Sequence, residues 1–209
     1  KDNERYPMRR FGERQSPGLS GTMRYPREYK TAARSRILDR GGRHAKKHGF
    51  RASGMDALAA AAGVTTGALY KQFAGKADFF VALLEAELRR TEERFDGVPS
   101  ADRRAIDQVQ ADYLSLPHVR TPERGCLLPS LTAEVARAEP AARAAYQSSL
   151  RRIHAIVEGW TGSSDKAWTL IAQNVGAVML ARAMCDEGDQ RDLLESVRRE
   201  GQALLEGNR

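Results

Sequence analysis

Cysteine is scarce in this 209-residue chain: Cys126 and Cys185 are the two it has, too few for a disulfide framework or for a zinc site on their own. Aromatic residues make up 7% of the sequence. No uninterrupted apolar run approaches the roughly 18 residues of a membrane span, so no membrane partner is expected. The first residues contain no apolar signal-like core, which argues against secretion and for a cytoplasmic location. Strand-like alternation of apolar and polar residues is missing throughout. The four histidines, His44, His48, His118 and His154, fall at no metal-ligand spacing with each other or with the cysteines. No serine sits in a nucleophile elbow and no glycine loop is built to cradle phosphate. The reading is therefore no enzyme, no metal and no cofactor.

What is present is helix, and charge in one place. Hydrophobic content of 41% with 29% charged residues is a globular balance. The net charge of +7 is unevenly placed: residues 1–80 carry 17 Lys/Arg against 7 Asp/Glu, and residues 81–209 carry 17 against 20. A basic first third on a mildly acidic remainder is the footprint of a nucleic-acid-binding head on a body that does not bind nucleic acid. Residues 1–28 hold three prolines, three glycines and seven Lys/Arg without helical period, and read as a disordered basic arm. Met23 within it is a natural start.

The most informative stretch runs from Ser53 to Lys76, SGMDALAAAAGVTTGALYKQFAGK. Ser53 is expected to cap a helix whose apolar positions are Met55, Leu58, Ala59 and Ala62. Gly63 then stands where a helix end wants positive φ, and Val64 fills the gap. Thr65 or Thr66 caps a second helix with Leu69 and Phe73 inward. Thr66, Gly67, Ala68, Tyr70, Lys71 and Gln72 are left outward or at the leading end. Two short helices so joined make a helix-turn-helix, whose second helix can enter the DNA major groove.

The residues also match a known family in order and spacing. Gly49-Phe50, Ser53, Leu58-Ala59, Ala62-Gly63-Val64-Thr65, Gly67, Leu69-Tyr70, Gln72-Phe73 and Lys76 follow the N-terminal signature of the TetR family of one-component transcriptional regulators, which this chain resembles. The likeness is clear over residues 30–88 and looser beyond. It implies an all-α fold: an N-terminal three-helix DNA-binding domain over 29–76 and a helical effector-binding and dimerisation domain over 77–209. It further implies a repressor released from a palindromic double-stranded operator by a small-molecule effector. Thr66, Gly67 and Ala68 are then expected near base edges and Ser53, Tyr70, Lys71 and Lys76 on phosphates, with Thr65 and Gln72 also among the DNA-binding residues.

About nine helices are expected. The first, from about Glu28 to His48, is anchored by Ile37 and Leu38, carries Gly41-Gly42 within it, and ends in a basic turn of Lys46, Lys47 and His48. Ala77 to Asp96 is strongly amphipathic and links head to body. Later helices are expected over 101–116, capped by Ser100, then over 126–138, 139–160, from Asp165 to about Cys185, and 189–205. Pro117 to Gly125 reads as loop, and Gly188 as the break before the last helix. The penultimate helix is apolar on more than one side, which, with the resemblance, implies a homodimer through the last two helices.

The effector is expected among the middle helices, with Tyr113, Leu116, His118, Cys126, Leu127, Leu131, Ile153, Val157 and Trp160 as liners. The mixed apolar and aromatic set points to a small apolar ligand. Cys126 lies beside Arg124 at an expected helix N-terminus, where its pKa should fall, which makes a thiol-based redox- or electrophile-sensing repressor an alternative. A helical small-molecule-binding protein without operator recognition, and a sequence-blind architectural DNA binder, are the others.

Overall fold

The structure, a computed structural model, describes residues 27–206, and all its regular elements there are helices. The arm expected over residues 1–28, Met23 included, lies outside the described residues but for its last two positions. Ten helices are described rather than nine. The first four are α1 (Arg27–His48), α2 (Met55–Ala62), α3 (Thr66–Tyr70) and α4 (Lys76–Asp96).

The double glycine of α1 is explained by close approach. A Cβ on Gly41 would stand 2.7 Å from the Phe79 ring, and one on Gly42 2.5 Å from Glu87 Oε1. α1 therefore lies directly on α4, and the roughly 1 kcal/mol that each glycine costs a helix is offset by that contact. Phe50, Phe73, Phe79 and Phe80 close the space between them, each at most 5% exposed. Phe50 stacks on Phe80 at 4.2 Å between centroids, and Phe73 meets Phe79 at 4.6 Å.

α4 leaves this core and continues against α8 of the body. The body is α5 (Arg103–Tyr113), α6 (Leu116–Arg120), α7 (Leu128–Val135), α8 (Pro140–Thr161), α9 (Ser164–Ala183) and α10 (Glu187–Glu206). Pro140 takes the first turn of α8, where its missing N–H costs nothing. Three local expectations change. Asp102, not Ser100, caps α5, accepting from Ala105 N at 3.0 Å. The expected loop 117–125 begins with α6, because Ser115 caps a turn that tolerates Pro117 early. Gly188 lies inside the first turn of α10, and the chain turns instead at Met184 in extended conformation.

α9 shows its apolar residues on two sides. Ala167, Leu170, Ala177, Val178 and Ala181 are buried, while Trp168, Met179 and Leu180 on the helix and Met184 at its end are exposed by 37–58% in the single chain.

Candidate functional site

In the head, the turn between α2 and α3 is set by local chemistry. Gly63 is left-handed at φ 74°, and its N–H and that of Val64 close the last turn of α2. Thr65 is the α3 cap, accepting from Ala68 N at 3.2 Å. Thr66 Oγ1 instead donates to Asp56 Oδ1 at 2.6 Å and ties α3 to α2. Leu69 and Phe73 are buried as expected, Phe73 in the turn beyond this five-residue helix. Gly67, Lys71, Gln72 and Tyr70 (52% exposed) form an open face with Thr65, and Ala68 stands half-buried at its edge. Nothing lies within 4 Å of a Cβ built on Gly67, so the fold itself does not require that glycine.

Two polar side chains, Ser53 and Lys46, are buried. Ser53 was expected to cap α2 and to reach phosphate, but Gly54 is the cap and Ser53 is buried. Its hydroxyl donates to Gly49 O at 2.6 Å and meets His44 Nε2 at 3.1 Å, because burial leaves it no solvent partner. Lys46, part of the basic turn that ends α1, is 8% exposed. Its ammonium is paired with Glu87 at 2.7 Å and donates to Gly125 O at 2.8 Å. A buried carboxylate needs such a partner, so this cation serves the interior. Lys76 is half-buried, donates to Arg51 O at 3.0 Å and stands over the Phe50 ring.

Sequence spacing gave no sign of three further residues. Arg34 of α1 donates to Gln72 O at 2.9 Å and lies over the Phe73 ring at 4.2 Å, bracing the turn after α3. Glu134 of α7 accepts from Phe50 N at 3.0 Å and Arg51 N at 2.7 Å, joining body to head. Asp56 supplies the acceptor for Thr66. These meetings depend on helices brought together by the fold, so a linear pattern carries no trace of them.

Within the body, Tyr113, Cys126, Ile153, Val157 and Trp160 do line one small cavity, of about 30 Å³. Gln110 and Asn174 complete it on the α5 and α9 side. Leu127 and Leu131, at 1% and 0% exposed, are core instead, Leu116 faces a separate surface groove, and His118 faces an outer cleft of about 1010 Å³ between head and body. Cleft and cavity share Thr91, Phe95, Tyr113 and Cys126.

His118 is held as a neutral ring. Its Nδ1–H donates to Tyr113 O at 2.6 Å and its Nε2 accepts from Cys126 N at 3.0 Å, an arrangement only the neutral tautomer satisfies. Burial lowers its pKa below the usual histidine range. Cys126 goes opposite to expectation. Its Sγ accepts from Leu128 N at 3.4 Å, and that bond, with the nearby Tyr113, Thr91 and Lys46, favours thiolate. Burial outweighs them and pushes the thiol up. Among the described residues no group of three or more His, Cys, Asp or Glu could hold a metal ion, and no helix is long and apolar enough to cross a membrane.

With the geometry in place, similarity can be weighed. Residues 37–83 match the family of bacterial regulatory proteins designated tetR family. No curated protein matches the sequence. Solved structures do. NemR of Escherichia coli, in its reduced form, superposes with a TM-score of 0.68 at 23% identity, over 82% of this chain and 96% of that one. The regulatory protein TetR of Rhodobacter sphaeroides gives 0.64 at 23%, over 82% and 98%. FadR of Bacillus subtilis, solved with stearoyl-CoA, gives 0.62 at 17%, over 83% and 98%. These likenesses speak for the fold, and the matched segment is the one that builds α2, α3 and the buried half of α4. The matched residues thus build a helix-turn-helix of the kind found in bacterial regulatory proteins of the tetR family, mounted on an all-helical body whose fold those solved structures share.

Proposed function

We propose that the chain is a homodimeric repressor that reads a palindromic operator through α3 and releases it when a small apolar effector enters the body. The observation that carries the reading is the pairing of two sites on one frame. An open polar face of Thr65, Gly67, Tyr70, Lys71 and Gln72 stands at one end of α4, and an apolar cavity lies at the other. Thr65, Gly67, Ala68 and Gln72 are assigned to base edges, with Thr66 assisting from the leading turn. Tyr70, Lys71 and Lys76 are assigned to phosphates. Ser53 is left out, since its hydroxyl is committed inside. The apolar face of α9, with Trp168, Met179, Leu180 and Met184, is assigned to the dimer interface with α10. That FadR holds stearoyl-CoA supports an apolar effector in a body of this shape.

The test is fluorescence anisotropy with the purified chain, palindromes from its flanking genomic DNA and random duplexes at stepped salt. A repressor gives a preferred palindrome. Binding of every duplex alike with a steep salt slope marks an architectural binder. Absence of binding at low salt leaves a helical small-molecule-binding protein and overturns the proposal. The thiol alternative has lost its footing: a raised thiol pKa disfavours the reactive thiolate.

A further inference from the structure

The body cavity is apolar on most of its wall and carries no charged side chain, but one corner is polar. There Asn174 Nδ2 donates to Gln110 Oε1 at 2.8 Å. Tyr113, three residues after Gln110, shares its face of α5. Asn174 Oδ1 is buried without a hydrogen-bond partner, and the buried Tyr113 hydroxyl has beside it only the Cys126 thiol, a weak partner, with Tyr113 9% exposed. Burying such a group without a strong partner destabilises the fold, a penalty that a phenylalanine or leucine would avoid. The conclusion does not depend on how the amides are oriented. Turning over both the Asn174 and Gln110 amides preserves their mutual bond and leaves Asn174 Nδ2 unpaired in place of Oδ1.

We infer that the effector is a small, uncharged molecule with an apolar ring or cage bearing one hydroxyl. This rests on the reading of the cavity as the effector site. The hydroxyl meets Tyr113 and Asn174, donating to one and accepting from the other. The apolar part rests against Phe95, Val157, Trp160 and Ile171. A carboxylate or ammonium is rejected because no countercharge lines the cavity, and an ion buried unpaired costs several kcal/mol. At about 30 Å³ the space is that of a single water, so a ligand enters by spreading the walls, which favours a compact one. The way in is the outer cleft, through the shared residues Thr91, Phe95, Tyr113 and Cys126.

Three probes of one shape test this by calorimetry on the full chain without DNA: p-cresol, toluene and p-toluate. p-Cresol should bind at least about tenfold more tightly than toluene, the value of one good hydrogen bond, and p-toluate should not bind at the same concentrations. Tyr113→Phe and Asn174→Leu should each bring p-cresol to within about threefold of toluene while toluene affinity stays as it was. Free Tyr113→Phe should melt within about a degree of the wild type, because the hydroxyl it loses has only the weak Cys126 thiol beside it. Equal binding of p-cresol and toluene overturns the inference and means that water alone serves the corner. Binding of p-toluate overturns the neutrality, and no binding by any probe overturns the ligand class. Should p-cresol bind as stated yet never change operator affinity, the ligand class stands and the effector-responsive repressor falls.

Discussion

Head and body bury their interiors in different ways. The head closes on four phenylalanines, two of its helices so near that glycine is needed between them, and among the described residues none of its buried side-chain polar atoms lacks a partner. Among the described residues the body keeps a cavity and three buried side-chain polar atoms, on Tyr113, Gln173 and Asn174, without an ordinary hydrogen-bond partner. Close packing transmits displacement, whereas a cavity admits it. A reader of fixed DNA spacing needs the first property and a receptor for small molecules the second. Besides α4, which runs through both, and the apolar core they share, the join includes polar contacts concentrated in one stretch: Gly125 O on Lys46, and Glu134 on the amides of Phe50 and Arg51. Cys126 and Leu128, in the same stretch, form cavity wall.

The contrast can be broken most forcefully in the head. Phe79→Ala opens a void among Phe50, Phe73 and Gly41 and should cost about 3–5 kcal/mol in urea unfolding. Val157→Ala, a smaller truncation beside an existing cavity, should cost less than half of that. Equal losses would erase the distinction between the two cores.

At the join, Lys46→Ala leaves Glu87 buried with Arg90 as its remaining partner, 2.6 Å away. A loss of about 3 kcal/mol is expected, at the low end for a broken buried pair. Lys46→Met with Glu87→Leu should recover most of it, and an unrecovered double variant would show that the link to Gly125 carries the energy instead.

A pH titration sharpens the comparison from the body side. His118 has a folded pKa lowered by burial, against about 6.5 when unfolded. Protonation therefore favours the unfolded chain. The stability from neutral His118 is present above about pH 6.5 and lost as pH falls through that value toward the folded pKa. His44, lowered by burial and then by His48, acts in the same direction. Urea midpoints at pH 7.5 and 5.5 should differ less in His118→Gln, whose amide oxygen replaces the Nε2 acceptor, than in the wild type. An unchanged difference would assign the effect to His44.

The smallest expected effect on stability is at the reading face. Lys71→Ala should leave the melting temperature within about a degree, since exposed positions rarely matter by more than 0.5 kcal/mol. It should weaken all operators alike and lower the salt slope by about one unit. A changed sequence preference with an unchanged slope would move Lys71 from phosphate to base.

Much of the head was legible in sequence because its signals are local. Gly63 fixes a turn, Thr65 a cap, and Leu69 and Phe73 an inner face within a few residues of one another. The apolar spacing of α4 and α9 was equally plain. The burial of Ser53 and Lys46 was not legible for one shared reason: whether a polar side chain faces water depends on what packs over it. For Lys46 that is Glu87 and Gly125, 41 and 79 positions away. Cys126 was judged by its chain neighbours, while its thiol answers to its enclosure. The cavity liners divided similarly, since apolar identity alone does not separate Leu131 in solid core from Val157 at a void.

The grip on Arg51 has a consequence for how such a molecule can change. Glu134 holds its amide and Lys76 holds its carbonyl, so the main chain is fixed from both sides, while the side chain is exposed and takes no part. A latch that grasps only backbone is indifferent to every side chain but proline, which has no N–H to give. Position 51 can exchange one charge for another, or lose it, with the hinge undisturbed. On the proposed reading, single substitutions at that corner of the head would alter operator preference and leave the backbone link to the body intact.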